Sequence, residues 1–173
     1  MSRHSNAFYA KDVLENPDLE RCNFKVDLEI LPSFANALIK TGLNEEVGCR
    51  IVGGILSSQA VFHYLSRRAG WWNDLDTGAP GEDNPYFVAT KIALIASEVN
   101  EALEAYRKDL NDDHLTHRKG IEAELADVLI RVFDLAGALN LDLAGAIAEK
   151  TAYNLNRADH KVENRRQANG KRF

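Results

Sequence analysis

Cysteine is scarce in this 173-residue chain: Cys22 and Cys49 are the two it has. They stand at no metal-binding or redox spacing, which removes a thiolate zinc site or a disulfide framework as the organising principle. A reduced, cytoplasmic protein is the simplest account, with a Cys22–Cys49 disulfide left open. No apolar run approaches the ~20 residues that cross a bilayer. The opening MSRHSNAFYAKD has no signal-peptide apolar region, so no membrane association is expected. Surplus positive charge is also missing. A net charge of −5 weighs against a nucleic-acid polymer or an anionic membrane as the main partner. No internal repeat or low-complexity tract interrupts the chain.

What the chain does have is apolar content of 45%, enough for the core of one domain with an appendage. It also has acids at helical spacing. Residues 121–139 read IEAELADVLIRVFDLAGAL. Glu124, Asp127, Arg131 and Asp134 follow one another by 3, 4 and 3, which keeps them on one stripe of a helix. The other positions are nearly all apolar, the pattern of a buried helix, so the stripe is expected to face something polar and enclosed. Unpaired buried carboxylates cost several kcal/mol each, so they pair with a base or bind metal. Arg131 supplies the first alternative, by neutralising Asp134; contact with a phosphate or a partner chain is the second.

Residues 87–108, FVATKIALIASEVNEALEAYRK, carry a matching pair, Glu98 and Glu101. Ile92, Ile95, Val99, Ala102, Leu103 and Tyr106 recur at helical spacing and are expected to form the core face. Lys91 shares a stripe with Glu98 and Glu101. Two such helices joined by a short polar loop should pack antiparallel and bring the four carboxylates together. An all-oxygen ligand set selects Mg²⁺ or Mn²⁺ over Zn²⁺. The absence of Glu-x-x-His sets aside a di-iron bundle.

The run KIALIASEVNEALEAYRK…EAELADVLIRVFDLAGALNLDLAGAIAEKTAYNLNRADHK resembles the MazG-like family of all-α nucleoside triphosphate pyrophosphohydrolases. Glu98 and Glu101 match the last two acids of that family's EExxE motif. Glu124 and Asp127 match its ExxD, and Lys150, Asn154 and Arg157 match its Lys-x-x-x-Asn-x-x-Arg helix. The resemblance spans roughly residues 66–166. Gly70-Trp71-Trp72-Asn73-Asp74 and DDHLTHR resemble the phage-associated MazZ-type branch, which acts on guanine nucleotides.

The resemblance implies an all-α helical bundle assembled as a homo-oligomer, a dimer or a dimer of dimers. It implies hydrolysis of a (deoxy)nucleoside triphosphate to the monophosphate and pyrophosphate, with dGTP or GTP favoured and dCTP or dUTP as the alternative. Two or more Mg²⁺ or Mn²⁺ ions would sit on Glu98, Glu101, Glu124 and Asp127. Lys91, Lys108, His117, Arg131, Lys150, Asn154 and Arg157 would contact the triphosphate or ribose. From the residues themselves, one of Trp71 and Trp72, with Trp72 the chosen candidate, would stack on the base and Asn73 and Asp74 would bond its edge, although at least one of the two tryptophans is more readily a cap on the bundle core. Where the family motif commonly opens with an extra Glu, this chain has Ser97. That leaves Glu101 or a hydroxide on the metal as the base, and keeps open a non-catalytic nucleotide-binding regulator.

Along the chain, residues 1–23 read as an irregular arm. Residues 24–31 alternate like a strand, and Pro32-Ser33 opens a short helix ending at Gly42. A longer helix is expected over about 45–68, where Gly48, Gly53 and Gly54 mark close helix approach or a break and Gly70 the end. Residues 73–85 read as a loop, the segment near 109–119 as the connection between the acidic helices, and 142–158 as the last helix. The cationic tail after 159 is expected to be solvated or to reach a second chain. The expected layout is an N-terminal extension over 1–65, the pyrophosphohydrolase domain over 66–166 and a basic tail over 167–173.

Overall fold

The computed structural model describes residues 45–81 and 84–171. The expected arm, strand and short helix of residues 1–42, with Cys22, lie outside the described residues. The remainder is all-α: α1 (Glu45–Arg68), α2 (Pro85–Lys108), α3 (Gly120–Ala138), α4 (Leu143–Asn156), a 3₁₀ turn (Ala158–His160) and the short α5 (Val162–Arg165). Among the described residues, β structure amounts to two isolated bridges, Asn73 with Pro80 and Asn111 with Lys119. The chain forms two units, Ser57–Leu141 and, within the described residues, 45–56 with 142–171. Helix α1 runs from one into the other.

In the first unit, α2 begins where Asn84 accepts a hydrogen bond from the Tyr86 N–H at 3.0 Å and Pro85 fills the first helical position. It ends where Asp109 turns left-handed at φ 51° and returns its N–H to Ala105 and Tyr106 carbonyls. Lys119 then holds the Asp109 carboxylate at 2.8 Å, keeping its pKa below the ordinary carboxylate value. The Gly120 N–H closes the loop on the Leu110 carbonyl at 2.9 Å. With the loop pinned at both ends, α3 returns antiparallel along α2.

The last part of α1 packs on α3 around Gly137. A Cβ there would lie 2.5 Å from the Cβ of His63, so only glycine permits the approach. Beside it stands a buried polar hub. Asp134 accepts hydrogen bonds from Trp72 Nε1 at 2.7 Å, His63 Nδ1 at 3.0 Å and Ser66 Oγ at 2.8 Å. A buried carboxylate without these partners would be strongly destabilising. The Trp72 indole is wholly enclosed, edge-on to His63 and tilted against Phe87. The loop after α1 is thereby tied to both acidic helices.

Among the described residues the large side chains of the apolar face expected to be core are mostly exposed, although Ala102 is buried and Ile95 half-buried. Ile92, Val99, Leu103 and Tyr106 of α2 and Leu125 and Leu129 of α3 are each about half exposed or more. The α2–α3 seam instead closes on Glu98, Ala102 and Ala105. Small side chains allow the two backbones to approach, and the large apolar ones are left on the outside. Helix α3 is therefore not enclosed on all sides, as its composition had implied.

In the second unit, Val52, Ala144 and Ala148 form a small core that Ile55 and Leu56 extend. Asp142 caps α4 by accepting the Gly145 N–H at 2.8 Å. Helix α1 passes unbroken through Gly53 and Gly54, and nothing among the described residues lies within 4 Å of a Cβ built at either. Among the described residues neither the break nor the close approach expected at these two glycines is present. Gly53→Ala should raise stability by roughly 0.5–1 kcal/mol, because an exposed helical glycine carries excess backbone entropy. Gly137→Ala should lower it by roughly 1–3 kcal/mol through overpacking. Thermal melts of the two variants check this pair, and a shift of the same sign in both would contradict it.

Candidate functional site

Glu98 and Glu101 stand one turn apart on α2, and Glu124 faces them from α3. One carboxylate oxygen from each lies within 4.8 Å of the other two. Oxygens that share an ion at 2.0–2.6 Å are at most about 5 Å apart, so these three suit a common hard cation. The setting is graded: Glu98 is buried, Glu124 half-buried and Glu101 exposed. Asp127 is exposed and outside this group, yet near enough for its charge to act on Glu124. The expected four-acid cluster is thus three acids with the fourth at its edge.

The electrostatics are those of crowded anions. Burial pushes the Glu124 carboxyl above its ordinary pKa. A hydrogen bond with Glu98 and the charges of Glu101, Glu98 and Asp127 push it further in the same direction. Two groups act against the crowding. Arg131 Nη2 lies 2.7 Å from Glu98 Oε1, across the seam between the helices. Ser97 Oγ donates to Glu101 Oε1 at 2.8 Å, one turn along α2. Asp134, the neighbour that the helix stripe offers Arg131, is already engaged by α1 and Trp72. It lies one turn further on, where α3 faces α1, so the arginine turns to Glu98.

The other residues singled out from the sequence are dispersed. Lys91 is half-buried, with its ammonium 4.7 Å from the centre of the Trp72 ring and 5.5 Å from that of Phe87. Burial lowers its pKa, the Asp134 charge opposes that shift and Arg131 adds to it. Lys108 is taken up by Glu104 on its own helix. His117 is exposed on the connecting loop. Trp72 cannot stack on a base, because its ring is enclosed by His63, Phe87 and Lys91. Asp74 Oδ1 accepts from the Thr77 N–H, Thr77 hydroxyl and Asp76 N–H. These bonds keep its pKa low, and they make that oxygen a loop organiser rather than a free base-reading acceptor.

Lys150, Asn154 and Arg157 belong to the second unit. The Lys150 ammonium and the Arg157 guanidinium both lie over the Tyr153 ring, at 5.2 and 5.7 Å. Arg157 grips Asp159 with two hydrogen bonds of 2.9 and 2.6 Å, and Lys171 adds a contact at 3.1 Å. The two cations hold Asp159 far below the usual carboxylate range. Asn154 Oδ1 is buried without a hydrogen-bond partner among the described residues. With Thr151, Arg157, His160 and Lys161 it borders a cavity of about 320 Å³.

Sequence reasoning passed over the Arg131–Glu98 pair, although an α2–α3 hairpin places those positions opposite one another. It also passed over Asp159 as the partner of Arg157. Of the two tryptophans it weighed for the base, Trp71 is the exposed one, at 68%, beside a cavity next to Lys91.

Crowding of the acids makes the site's charge visible in stability. The Glu124 carboxyl has a folded pKa above its ordinary value of 4.5. Its protonated form is the favoured one, so its contribution is full below 4.5 and lost as pH rises through the folded pKa. Glu124→Gln should therefore melt higher than the parent protein near pH 7 without divalent ions. The gap should shrink as pH falls towards 5. Mg²⁺ or Mn²⁺ should raise the melting temperature of the parent protein and have little effect on the variant. A parent protein that melts identically with EDTA and with Mn²⁺ would contradict this. Comparison of the chain with protein-family models, with curated proteins and with solved structures gave no match.

Proposed function

We propose that this chain hydrolyses a (deoxy)nucleoside triphosphate between the α and β phosphates, as its resemblance to MazG-like pyrophosphohydrolases suggests. The observation that carries the reading is the meeting of Glu98, Glu101 and Glu124 within 4.8 Å, from two helices and two separate motifs. Glu98, Glu101 and Glu124 would hold Mg²⁺ or Mn²⁺, with Asp127 beside Glu124 available to share a second ion. Such ions, when bound, offset the acids, acidify water and attract the triphosphate.

The chain's own residues account for the rest. Ser97 orients Glu101 by donating to its Oε1, which leaves Oε2 to take a proton from the attacking water. The water oxygen bonds to the α phosphorus as the bridge to the β phosphorus breaks. Pyrophosphate leaves with the bonding electrons. Arg131 can exchange its Glu98 contact for a phosphate oxygen once the glutamate charge is otherwise balanced. Lys91, in the same unit as the acids, is the further candidate for contact with the nucleotide, with dGTP or GTP the favoured substrate.

The uncovered apolar faces of α2 and α3 support assembly as a dimer or a dimer of dimers. A contiguous row of large exposed apolar side chains is costly in water, and pairing two hairpins would bury it. A second functional reading, a nucleotide-binding regulator without turnover, is favoured by Ser97 standing where a carboxylate base would serve.

Incubation with a panel of ribo- and deoxynucleoside triphosphates and Mg²⁺ or Mn²⁺ should release pyrophosphate and not orthophosphate. Glu101→Gln should reduce that release at least about a hundredfold with the fold intact. Full-speed turnover by the variant would refute the assignment. Binding of nucleotide without release by the parent protein would select the regulator. In sedimentation at micromolar concentration no monomer is expected, and a stable monomer would refute the assembly.

A further inference from the structure

Between the loop after α1 and the first half of α2 lies a cavity of about 380 Å³, bordered by Trp71, Leu75, Phe87, Thr90, Lys91 and Leu94. All of these residues belong to the Ser57–Leu141 unit. The volume falls at the small end of the range of ligand pockets. Trp71 is 68% exposed here and Leu75 is 99% exposed. Two large apolar side chains turned to water at the mouth of one cavity mark a place where something apolar is covered. The Trp71 neighbour Trp72 is locked into the core by Asp134, which fixes the backbone from which Trp71 projects.

Besides Lys91, the polar residues Asn73, Asp74, Asp76 and Thr90 border the cavity. Lys91 rests over two aromatic rings, with no carboxylate at ion-pair distance among the described residues. An ammonium donates and never accepts. The Thr90 hydroxyl is occupied by the Tyr86 carbonyl at 2.9 Å. Asp74 Oδ1, at the rim, is filled by its own loop. The cavity thus offers an aromatic face, aliphatic walls and, on the α2 side, an ammonium donor with room for an acceptor, while Asn73 and Asp76 border it from the loop.

Its position gives it a meaning. Lys91, Leu94, Glu98 and Glu101 follow one another on α2 by 3, 4 and 3, so the cavity and the acids share one stripe. At 1.5 Å per residue, Lys91 and Glu98 are separated by roughly 10 Å along the helix. That is the scale of a nucleotide lying along α2 with its phosphates at the acids. Resting on the triphosphate reading, we infer that this cavity is the base subsite. Trp71 is its stacking platform, and Lys91 is the donor that selects a base carrying an oxo group over adenine.

Inosine and adenosine test this directly, since they differ at the six-position of the same ring and carry no phosphate. Equilibrium dialysis is done on the full chain in EDTA, so the metal site plays no part. Inosine should bind saturably, and adenosine roughly tenfold or more weakly. Lys91→Met keeps the aliphatic stem over the rings and should bring the two nucleosides to equal affinity. Trp71→Ala should weaken inosine roughly tenfold, and Trp71→Phe should retain most of the binding.

Absence of saturable inosine binding, equal binding of both nucleosides by the parent protein, or unchanged inosine affinity in Trp71→Ala would each overturn the subsite. Pyrophosphate release is measured separately. Discriminating nucleoside binding without turnover keeps the subsite and discards the hydrolase.

Discussion

Glu98 is a carboxylate placed in the seam of a helix hairpin, with two more glutamates at ion-sharing distance. Coulomb repulsion between such groups is steep once water is partly excluded. The fold tolerates the arrangement because Arg131 reaches across the seam and because Glu124 can hold its proton more tightly than usual. The hairpin geometry is enforced elsewhere. Asp109 and Lys119 pin the loop, Gly137 lets α1 settle on α3, and the Asp134 hub ties both to Trp72. The acids are therefore held together by structure that does not itself benefit from their proximity, which is the condition under which a cation would be strongly attracted.

The same geometry explains the position of the large apolar residues. A seam lined by Glu98, Ala102 and Ala105 brings the helices close and directs Ile92, Val99, Leu103 and Tyr106 outward. The carboxylate site and the uncovered apolar face are two consequences of one rotation of α2 about its axis. If a second chain covers that face, assembly and site formation are coupled through the orientation of a single helix.

Much of this was legible in the sequence where local chemistry decides. The α1 boundaries, the Gly70 stop, the loop over residues 73–85 and the α2–α3 hairpin follow from glycine, proline and cap residues. The convergence of Glu98, Glu101 and Glu124 follows from i,i+3 spacing on antiparallel helices. What depended on the rotation of a helix was not legible. Periodicity identified an apolar stripe on α2 but not which of its stripes closes the seam. Two adjacent tryptophans gave no sign of which would be enclosed, because that choice depends on the reach of the Trp72 N–H to Asp134. Arg131 was open to any nearby acid until α2 and α3 were set face to face. Likewise Asp159, two residues beyond Arg157, became a partner only through the 3₁₀ turn that follows α4.

The central claim is that these three glutamates share a divalent ion. The most direct measurement is anomalous diffraction at the manganese edge from crystals grown with Mn²⁺ and a non-hydrolysable triphosphate analogue. The account expects an anomalous peak bonded to oxygens of Glu98, Glu101 and Glu124, with Arg131 withdrawn from Glu98. A map with no peak at that position and the Arg131–Glu98 pair intact would contradict it.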